Sequence, residues 1–412
     1  MERRQEQGLY PGDVNLETVR TWTLWQTEVE RRIGAQFARR EVRWRAWASI
    51  RALLSPVERK NGWQVAEVNG ETTPYGVQHV LGRAIWDADA LRDDWRPYVV
   101  EHLGAPEAVL VVDETGFLTK GRHSAGVARQ YSGTAGRVEN CHMGVFVTYA
   151  SSHGHVLLDR DLYLPREWTD DEVRCKGAGI PAERTFATKP QLAQQMLKRA
   201  FDEGVPAAWI TGDSVYGDNR SLRLWLEEDH HAHVLAVSGK AYVWCAGRPH
   251  QVKTLVAALG AEGWCRLSAG DGAKGPRWYD WCWRPLAAPL LPAWRRWLLV
   301  RRSVSEPTEL TAYVVFAPAA TALETVVQVA GSRWTVERCF EEAKGEVGLD
   351  QYAMRSWTGW YRHVTLAMWA YALLTVLRAA HLPAASPLKK MSQGSTRGSL
   401  TAFKTSRGLG YR

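Results

Sequence analysis

The sequence predicts an α/β protein in which a helical N-terminal region precedes a mixed core of strands and helices, and a mostly β segment interrupts that core. Three observations predict this class. Apolar residues recur at helical intervals between Leu16 and Leu54, a continuous apolar run at Val109–Val112 is typical of a buried strand, and strand-like and helix-like segments alternate from there to Val237. The 412 residues suggest two or three domains, and the composition, 45% hydrophobic and 23% charged, is that of a globular protein.

Residues 1–104 are predicted to form a helical region with a basic face. Six arginines lie between the apolar positions of the first helical stretch: Arg31, Arg32, Arg39, Arg40, Arg43 and Arg45. Such a face suits a nucleic-acid partner, but a solvated helix surface accounts for it equally well, because nearby glutamates dilute the charge. A second helical stretch, Val77–Leu103, ends near Gly104, which marks a domain boundary.

Residues 105–237 are predicted to form the first part of the core. The expected strands are Val109–Val112, Cys141–Tyr149, Val156–Tyr163, Ala208–Thr211 and Val234–Val237, with helices at Lys189–Glu203 and Arg220–Asp229. Three strands, a helix and a fourth strand is the opening order of a ribonuclease H-like domain. In that fold, acidic residues on neighbouring strands face each other, and here Asp113 and Asp213 follow the first and fourth strands.

Residues 238–318 differ from their surroundings. They carry several tryptophans, many Gly and Pro residues, and short β-like runs such as Trp297–Arg302 and Thr311–Phe316. The segment is predicted to be a mostly β insertion into the core, or alternatively an independent domain. Residues 319–383 would complete the core, and residues 384–412, which contain no acidic residue, would form a flexible basic tail that either contacts DNA or is simply a disordered end.

A third carboxylate, Glu337, lies in a segment with helical periodicity that starts near Ser332. At about 100° per residue, Arg333, Glu337 and Lys344 fall within one stripe, next to an apolar stripe that would pack on the sheet. Two carboxylates at strand ends and a third on a helix suit divalent magnesium held against a phosphodiester. The alternative for the helix is a surface ion pair between Arg333 and Glu337, which would contribute only a few tenths of a kcal/mol.

Charge and cysteine usage add broad expectations. The net charge of +8 and a pI of about 9.2 fit a polyanionic partner, although a mild basic excess is common in other proteins. The six cysteines are scattered without a C-x-x-C pair, which favours a reduced, intracellular protein. No membrane span is expected, since the most apolar region, Val364–Ala380, is broken by polar residues and reads as a buried helix.

Three segments together resemble a known family. The segments are V-V-D-E-T-G, I-T-G-D-S-V-Y-G and R-W-T-V-E-R-C-F-E-E-A-K-G-E-V-G-L-D-Q-Y, and the last is followed by R-S-W-T-G-W-Y-R-H-V-T-L-A-M-W-A-Y-A-L-L. Over residues 15 to 380, the chain resembles bacterial insertion-sequence transposases of the DDE type, in the insertion sequence 701 family within the insertion sequence 4 group. The resemblance covers two Asp and one Glu in the proper order, with a β-rich segment where that group carries an insertion.

The resemblance implies a fold, a reaction and partners. The fold would be α/β, with a ribonuclease H-like catalytic core interrupted by a β insertion and preceded by a helical DNA-binding region. Two Mg²⁺ ions, for which Mn²⁺ could substitute, would be held about 4 Å apart by Asp113, Asp213 and Glu337. The enzyme would cleave double-stranded DNA at the terminal inverted repeats of its element and join it to target DNA by cut-and-paste. A homodimer on the DNA and a location in the bacterial cytoplasm, with the nucleoid, are also implied.

The same group has a signature helix of Tyr, then Arg three residues later, Glu four residues further and Lys seven beyond the Glu. Arg333, Glu337 and Lys344 occupy the last three places, and Ala330 stands at the tyrosine position. Arg333 and Lys344 would therefore hold DNA phosphates, and Trp334 or Tyr216 could replace the tyrosine.

Lys120 and Arg362 complete the predicted DNA contacts. Lys120 follows Asp113 in a Gly-containing loop, and Arg362 lies in an aromatic and basic cluster after the Glu337 helix. A solvated loop charge and core packing of the neighbouring tryptophans are the respective alternatives.

Two other functions remain compatible with the sequence. One is a transposase-derived DNA-binding protein whose catalysis has lapsed, and the other is a metal-dependent nuclease without strand transfer. The presence of all three carboxylates favours an active enzyme over the first.

Overall fold

The computed structural model describes residues 16–272, 274–289 and 291–381. The predicted basic tail, residues 384–412, lies outside the described residues, as do the first 15 residues of the helical region.

The N-terminal region is helical, as predicted, but it contains more helices than the periodicity indicated. Its helices are α1 (Leu16–Ala35), α2 (Arg40–Leu53), α3 (Gly62–Val68), α4 (Tyr75–Gly82), α5 (Ala88–Asp93) and α6 (Trp95–Leu103). The stretch expected to run continuously from Leu16 to Leu54 is broken between α1 and α2, where Phe37 turns into the core, 5.1 Å from the ring of Trp86. Burial of Phe37 outweighs continuation of the helix at that point.

The first part of the core alternates strands and helices. Its elements are β1 (Val109–Leu118), β2 (Ala128–Ser132), β3 (Arg137–Ser151), β4 (Gly154–Tyr163), α7 (Arg166–Thr169), α8 (Glu172–Gly177), α9 (Lys189–Asp202), β5 (Trp209–Gly212), α10 (Ser214–Gly217), α11 (Arg220–Glu228) and β6 (His233–Val237). The predicted strands and helices of this part all lie within or overlap these elements. The sequence reading missed β2 and the short helices.

The remaining elements are β7 (Tyr242–Cys245), β8 (Arg248–Gln251), α12 (Val252–Ala257), β9 (Cys265–Gly272), β10 (Gly275–Pro285), β11 (Trp294–Ser303), β12 (Leu310–Pro318), α13 (Leu323–Ser332), α14 (Trp334–Val347) and α15 (Trp357–His381). The segment 238–318 is rich in β structure, as its composition indicated.

A single mixed sheet organises the molecule. Its strand order is β2-β3-β1-β5-β6-β12-β11-β10-β9, with β4 also paired to β3. Strands β1, β5 and β6 are parallel, whereas β3 and β4 run antiparallel to their neighbours. The carboxyl ends of β1, β5 and β6 therefore lie along the same edge of the sheet, and ligands of open α/β sheets bind at that edge.

The β-rich segment continues this sheet. Strand β12 pairs antiparallel with β6, from Phe316 opposite His233 to Ala312 opposite Val237, and β11, β10 and β9 follow in order. Strands β7 and β8 form a separate two-stranded sheet. Backbone hydrogen bonds thus join the segment to the core, while its boundaries at residues 238 and 318 stay a prediction.

Strand β1 is longer than the expected Val109–Val112, and Asp113 lies inside it rather than at its end. The antiparallel partner β3 continues to pair with β1 from Asp113, opposite Phe146, to Leu118, opposite Cys141. The parallel partner β5 stops earlier, at Val112 opposite Gly212. The polar residues after Val112 suggested that the strand ends there. Pairing with β3 alone is enough to keep them in β conformation.

By length and composition alone, helix α15 is apolar enough to cross a membrane over Trp357–Ala380. However, 72% of its most apolar 18-residue stretch is buried inside the protein. Trp360, Trp369 and Tyr371 are all buried, and the Trp369 indole donates a hydrogen bond of 3.2 Å to the Leu91 carbonyl. These contacts are those of a core helix, as expected for Val364–Ala380.

Candidate active site

Asp113 and Asp213 occupy equivalent places on neighbouring parallel strands. The pairing of β1 with β5 ends at Val112 and Gly212, and each of these residues is followed by an aspartate. The Asp213 carboxylate caps α10 by accepting a hydrogen bond of 2.8 Å from the Val215 amide. The sequence-predicted first and second carboxylates are therefore brought to one place at the end of the β1–β5 ladder.

The two aspartates lie in an environment that disfavours their charge. Burial, and then the negative charge of Asp213, raise the pKa of Asp113 to about 7. Burial, and then the charge of Glu114, raise the pKa of Asp213 above its ordinary value. The positive charge of Arg333 acts in the opposite direction on both groups. The site therefore holds more negative charge than its own cations neutralise.

Arg333 connects the first carboxylate to the third. It stands at the junction of α13 and α14, with its Nη1 atom 3.3 Å from Asp113 Oδ2 and its Nη2 atom 2.6 Å from Glu337 Oε1. The side chain of Glu337 is 49% exposed. The helix that was expected to begin near Ser332 in fact begins at Trp334, directly after α13, and this junction aims the guanidinium at β1.

Lys344, the third member of the predicted stripe, donates hydrogen bonds to three protein groups. Its ammonium donates to Thr115 Oγ1 at 2.8 Å, to the Gly116 carbonyl at 3.1 Å and to Thr134 Oγ1 at 3.1 Å. Burial lowers the pKa of Lys344 below its ordinary value. Since an ammonium has three donors, these bonds fasten α14 to β1 and leave none for a phosphate in this arrangement.

The donor set fits a divalent cation at the aspartates. Carboxylate oxygens are the protein ligands that Mg²⁺ prefers, and the mutual repulsion of Asp113 and Asp213 is what a cation between them would relieve. Within residues 16–272, 274–289 and 291–381, however, no three acidic, histidine or cysteine side chains converge as a ready metal cage. Glu337 is instead held by the Arg333 guanidinium, which provides the positive charge between it and Asp113.

Two of the predicted DNA contacts, Tyr216 and Arg362, are buried. Tyr216 is fully buried, and its hydroxyl donates a hydrogen bond of 2.6 Å to Glu114. Arg362 is 6% exposed and donates to the carbonyls of Val80, at 3.3 Å, and Trp86, at 2.7 Å. Both side chains make interior hydrogen bonds, which a contact with DNA would have to break, and their assignment to DNA binding stays a prediction.

The other two predicted contacts are accessible. Lys120 is exposed just beyond the end of β1. Trp334 is partly exposed, with the guanidinium carbons of Arg277 and Arg338 at 5.3 and 5.5 Å from its ring. A DNA contact by either residue stays a prediction.

The sequence reading missed the role of Glu114 and its partner Lys189. Glu114 accepts a hydrogen bond of 2.7 Å from Lys189 at the start of α9, in addition to the one from Tyr216. The signal available was strand alternation, which turns Glu114 to the opposite face of the sheet from Asp113. The partners on that face come from distant segments and carry no local signature.

Comparison with known proteins identifies the family of this chain. Residues 32–254 match the model of the DDE superfamily endonuclease family. The chain belongs to that family. The matched region includes both Asp113 and Asp213, and membership implies that the mixed sheet contains a ribonuclease H-like core. Glu337 lies beyond the matched region.

The chain is also similar to a protein from Microchaete diplosiphon described as a probable transposase for insertion sequence element IS701. The two are 26% identical over 198 residues, which are 48% of this chain and 49% of that protein, so the chain spans about half the length of the curated relative it matches. The resemblance to DDE transposases of the insertion sequence 701 type, stated from the sequence motifs, is thereby confirmed.

Proposed function

We propose that this protein is a DNA transposase that cleaves at the ends of its mobile element and joins those ends to target DNA. The observation that carries the proposal is the meeting of Asp113 and Asp213 at the end of the β1–β5 ladder, with Arg333 bridging Asp113 and Glu337. An endonuclease family and a transposase-like relative support the same reaction class.

Asp113, Asp213 and Glu337 would hold the metal ions, Mg²⁺ in the first place and Mn²⁺ as a substitute. When bound, the ions would supply Lewis-acid activation of the attacking oxygen and stabilisation of the leaving oxygen. Glu337 is exposed enough to change partner from Arg333 to a cation. No protein nucleophile is required, because a water or a DNA 3′-hydroxyl attacks the phosphorus and a 3′-oxygen leaves.

Arg333 has a second part in this proposal. Its guanidinium is permanently charged and carries donors in a planar fork that matches phosphate oxygens. If Glu337 turned to a cation, one side of that fork would be free for the scissile phosphate while the other stayed on Asp113. Arg333 would then stabilise charge that builds up on the phosphate in the transition state.

The remaining regions would bind DNA or complete the assembly. Exposed Arg39, Arg40, Arg43 and Arg51 near and on α2 support a helical DNA-binding region at residues 1–104. Residues 105–237 and 319–383 would form the catalytic core, and residues 238–318 the β-rich insertion. A homodimer would bring two inverted repeats together on double-stranded DNA, in the bacterial cytoplasm near the nucleoid.

A test of the proposal incubates the purified protein with Mg²⁺, a DNA carrying the terminal repeats of its element, and a supercoiled target plasmid. We expect nicked repeat ends followed by joined products, and neither product from Asp113→Asn, Asp213→Asn or Glu337→Gln. Nicking without joining would instead identify a nuclease. Binding to the repeats without any cleavage would identify a lapsed transposase, and full activity of the three variants would refute the site.

A further inference from the structure

Glu114 is the neighbour of Asp113 in β1, and its side chain is enclosed by protein on the opposite face of the sheet. Its Oε1 atom accepts from Lys189 at 2.7 Å and its Oε2 atom from the Tyr216 hydroxyl at 2.6 Å. The side chain is only 13% exposed. Both carboxylate oxygens are therefore in use, and neither points to the place where Arg333 meets Asp113.

Tyr216 belongs to the single helical turn that carries Asp213. Helix α10 has four residues, follows its cap residue Asp213 directly, and buries Tyr216 completely. So short a helix has almost no stability of its own, and its position depends on tertiary contacts. One such contact is the close packing of Gly217 on β6, where an added Cβ would lie 1.8 Å from the Ala236 carbonyl oxygen. Another is the hydrogen bond from Tyr216 to Glu114.

The backbone ladder does not extend as far as the two aspartates. Pairing between β1 and β5 ends at Val112 and Gly212, one residue before Asp113 and Asp213. Beyond that point, the bond from Tyr216 to Glu114 links the turn that holds Asp213 with the strand that holds Asp113. Lys189 pairs with Glu114 at 2.7 Å and adds α9 to the same link.

We propose that Glu114, held by Lys189 and Tyr216, is a positioning residue that fixes the Asp213 carboxylate relative to Asp113. This inference rests on the proposed function, since it assigns Glu114 a role in the same site. Glu114 touches neither substrate nor cation in this role, and Tyr216 acts through it. Loss of the link would let α10 shift, and the two carboxylates would lose the separation that a shared cation requires.

The fold contains a matched cluster on β4, two strands away from β1 and without a hydrogen bond to Asp113 or Asp213 among the described residues. Tyr361 donates a hydrogen bond of 2.6 Å to Asp161, and Asp161 also pairs with Arg184. This is again a tyrosine, a carboxylate and a cation, with Tyr361 and Asp161 both buried. Removing the Tyr361 hydroxyl costs the same kind of bond to a carboxylate as removing that of Tyr216, and in addition the bond of 3.1 Å that it accepts from the Leu162 amide. Neither bond involves the Asp113 or Asp213 carboxylate.

The test compares Tyr216→Phe with Tyr361→Phe in the full chain. Mg²⁺ affinity is measured by calorimetry without DNA, and kcat and KM are measured for cleavage of repeat-end DNA. We expect Tyr216→Phe to lose about 10- to 100-fold in Mg²⁺ affinity and in kcat, the range for groups that orient metal ligands, with KM for DNA unchanged. Tyr361→Phe should leave all three values unchanged while lowering the melting temperature by at least as much as Tyr216→Phe does, because it also leaves the Leu162 amide without its acceptor. Equal behaviour of the two variants would overturn the proposal.

Glu114→Gln and Glu114→Ala distinguish position from charge. A glutamine oxygen can still accept from the Tyr216 hydroxyl, so Glu114→Gln should keep most of the Mg²⁺ affinity that Glu114→Ala loses. If the two variants lose affinity equally, the hydrogen bond is not what positions Asp213. The calorimetric measurement also separates this inference from the proposed function, because it remains decisive even if the wild-type protein cleaves no DNA.

Discussion

Two groups of buried acids in this protein have opposite electrostatics. Asp159, on β4, is fully buried, yet its pKa lies below its ordinary value because the positive charges of Arg199, Arg92 and Arg96 outweigh the effect of burial. Asp113 is almost as buried, and burial, together with the negative charge of Asp213, raises its pKa to about 7, since Arg333 is the main cation that opposes them.

The difference separates an acid that stabilises the fold from one that is arranged for a ligand. Asp159 lies 3.0 Å from both Arg96 and Arg199 and joins α6 and α9 to the sheet. Its charge is fully compensated by the protein. The charges of Asp113 and Asp213 are less fully compensated, which supports the proposal that a cation binds between them. Buried acids that are left under-compensated are candidates for functional sites.

The largest expected effect is on catalysis. Asp213→Asn should lower the rate of DNA cleavage by about 10³-fold or more, because the substitution removes a charged ligand. The free energy of unfolding without Mg²⁺ should not fall, since asparagine caps a helix as well as aspartate does and the substitution removes a charge that burial and Glu114 disfavour. Single-turnover cleavage and urea denaturation measure the two quantities. A variant that kept a tenth of the activity would contradict this prediction.

Asp159→Asn, by contrast, should lower the free energy of unfolding. It removes the buried counter-charge of Arg96, which is 1% exposed and keeps only the more exposed Asp93 and Glu203 as partners, and breaking a buried ion pair costs up to about 3–5 kcal/mol. Urea denaturation measures the loss. Asp202→Asn is the control, because Asp202 forms only an exposed pair with Lys198, which should contribute less than about 1 kcal/mol. Equal effects of the two substitutions would mean that the Asp159 network does not stabilise the fold.

Mg²⁺ should stabilise the wild-type protein through the under-compensated acids. At 10 to 100 times the dissociation constant, a ligand that binds only the folded state adds about 1.4–2.7 kcal/mol. Thermal unfolding with Mg²⁺, against NaCl of equal ionic strength, should show this gain for wild type and for Asp159→Asn. It should be absent for Asp113→Asn. A gain in all three proteins would place the cation elsewhere.

The smallest effect concerns Glu342, a compensated acid on α14. His155 at 3.7 Å, together with the hydrogen bond from Tyr371 and the charge of Arg338, lowers its pKa from 4.5 to about 2. A lowered pKa in the folded state stabilises the protein above the unfolded pKa, and this contribution is lost as the pH falls from about 5 toward 2. Glu342→Gln should therefore cost about 1–2 kcal/mol at pH 6 and nothing near pH 2. Urea denaturation across this range measures it, and a constant difference would contradict the assignment.

The sequence predicted most of the core but not the ends of its elements. The apolar run before Asp113 and the short run before Asp213 indicated two buried strands, and both strands are present. The extent of β1 could not be read from the sequence, because its polar residues are held in the strand by pairing with β3. The break between α1 and α2 was not predicted for a similar reason, because Phe37 packs against Trp86, which is distant in sequence.

Within the candidate site, the sequence predicted contacts between residues close in the chain but not contacts between distant residues. The ion pair of Arg333 with Glu337 spans one helical turn and follows from helical periodicity. The second bond of Arg333, to Asp113, joins residues 220 positions apart. The burial of Tyr216 and Arg362 was also invisible, because a polar side chain in the interior needs partners that only the folded chain supplies.

By itself, the sequence predicted which residues would carry the chemistry: two aspartates that follow apolar strand runs and a glutamate on a helix, within the motifs of a DDE enzyme. Those features are local, since they depend on side-chain type and on the periodicity of strands and helices. Only the tertiary structure decided how the charges are compensated, with three arginines around Asp159 and chiefly Arg333 beside Asp113. The physical reason is that burial and Coulomb interactions depend on distances through space, which a chain sets when it folds and not when its residues are placed in order.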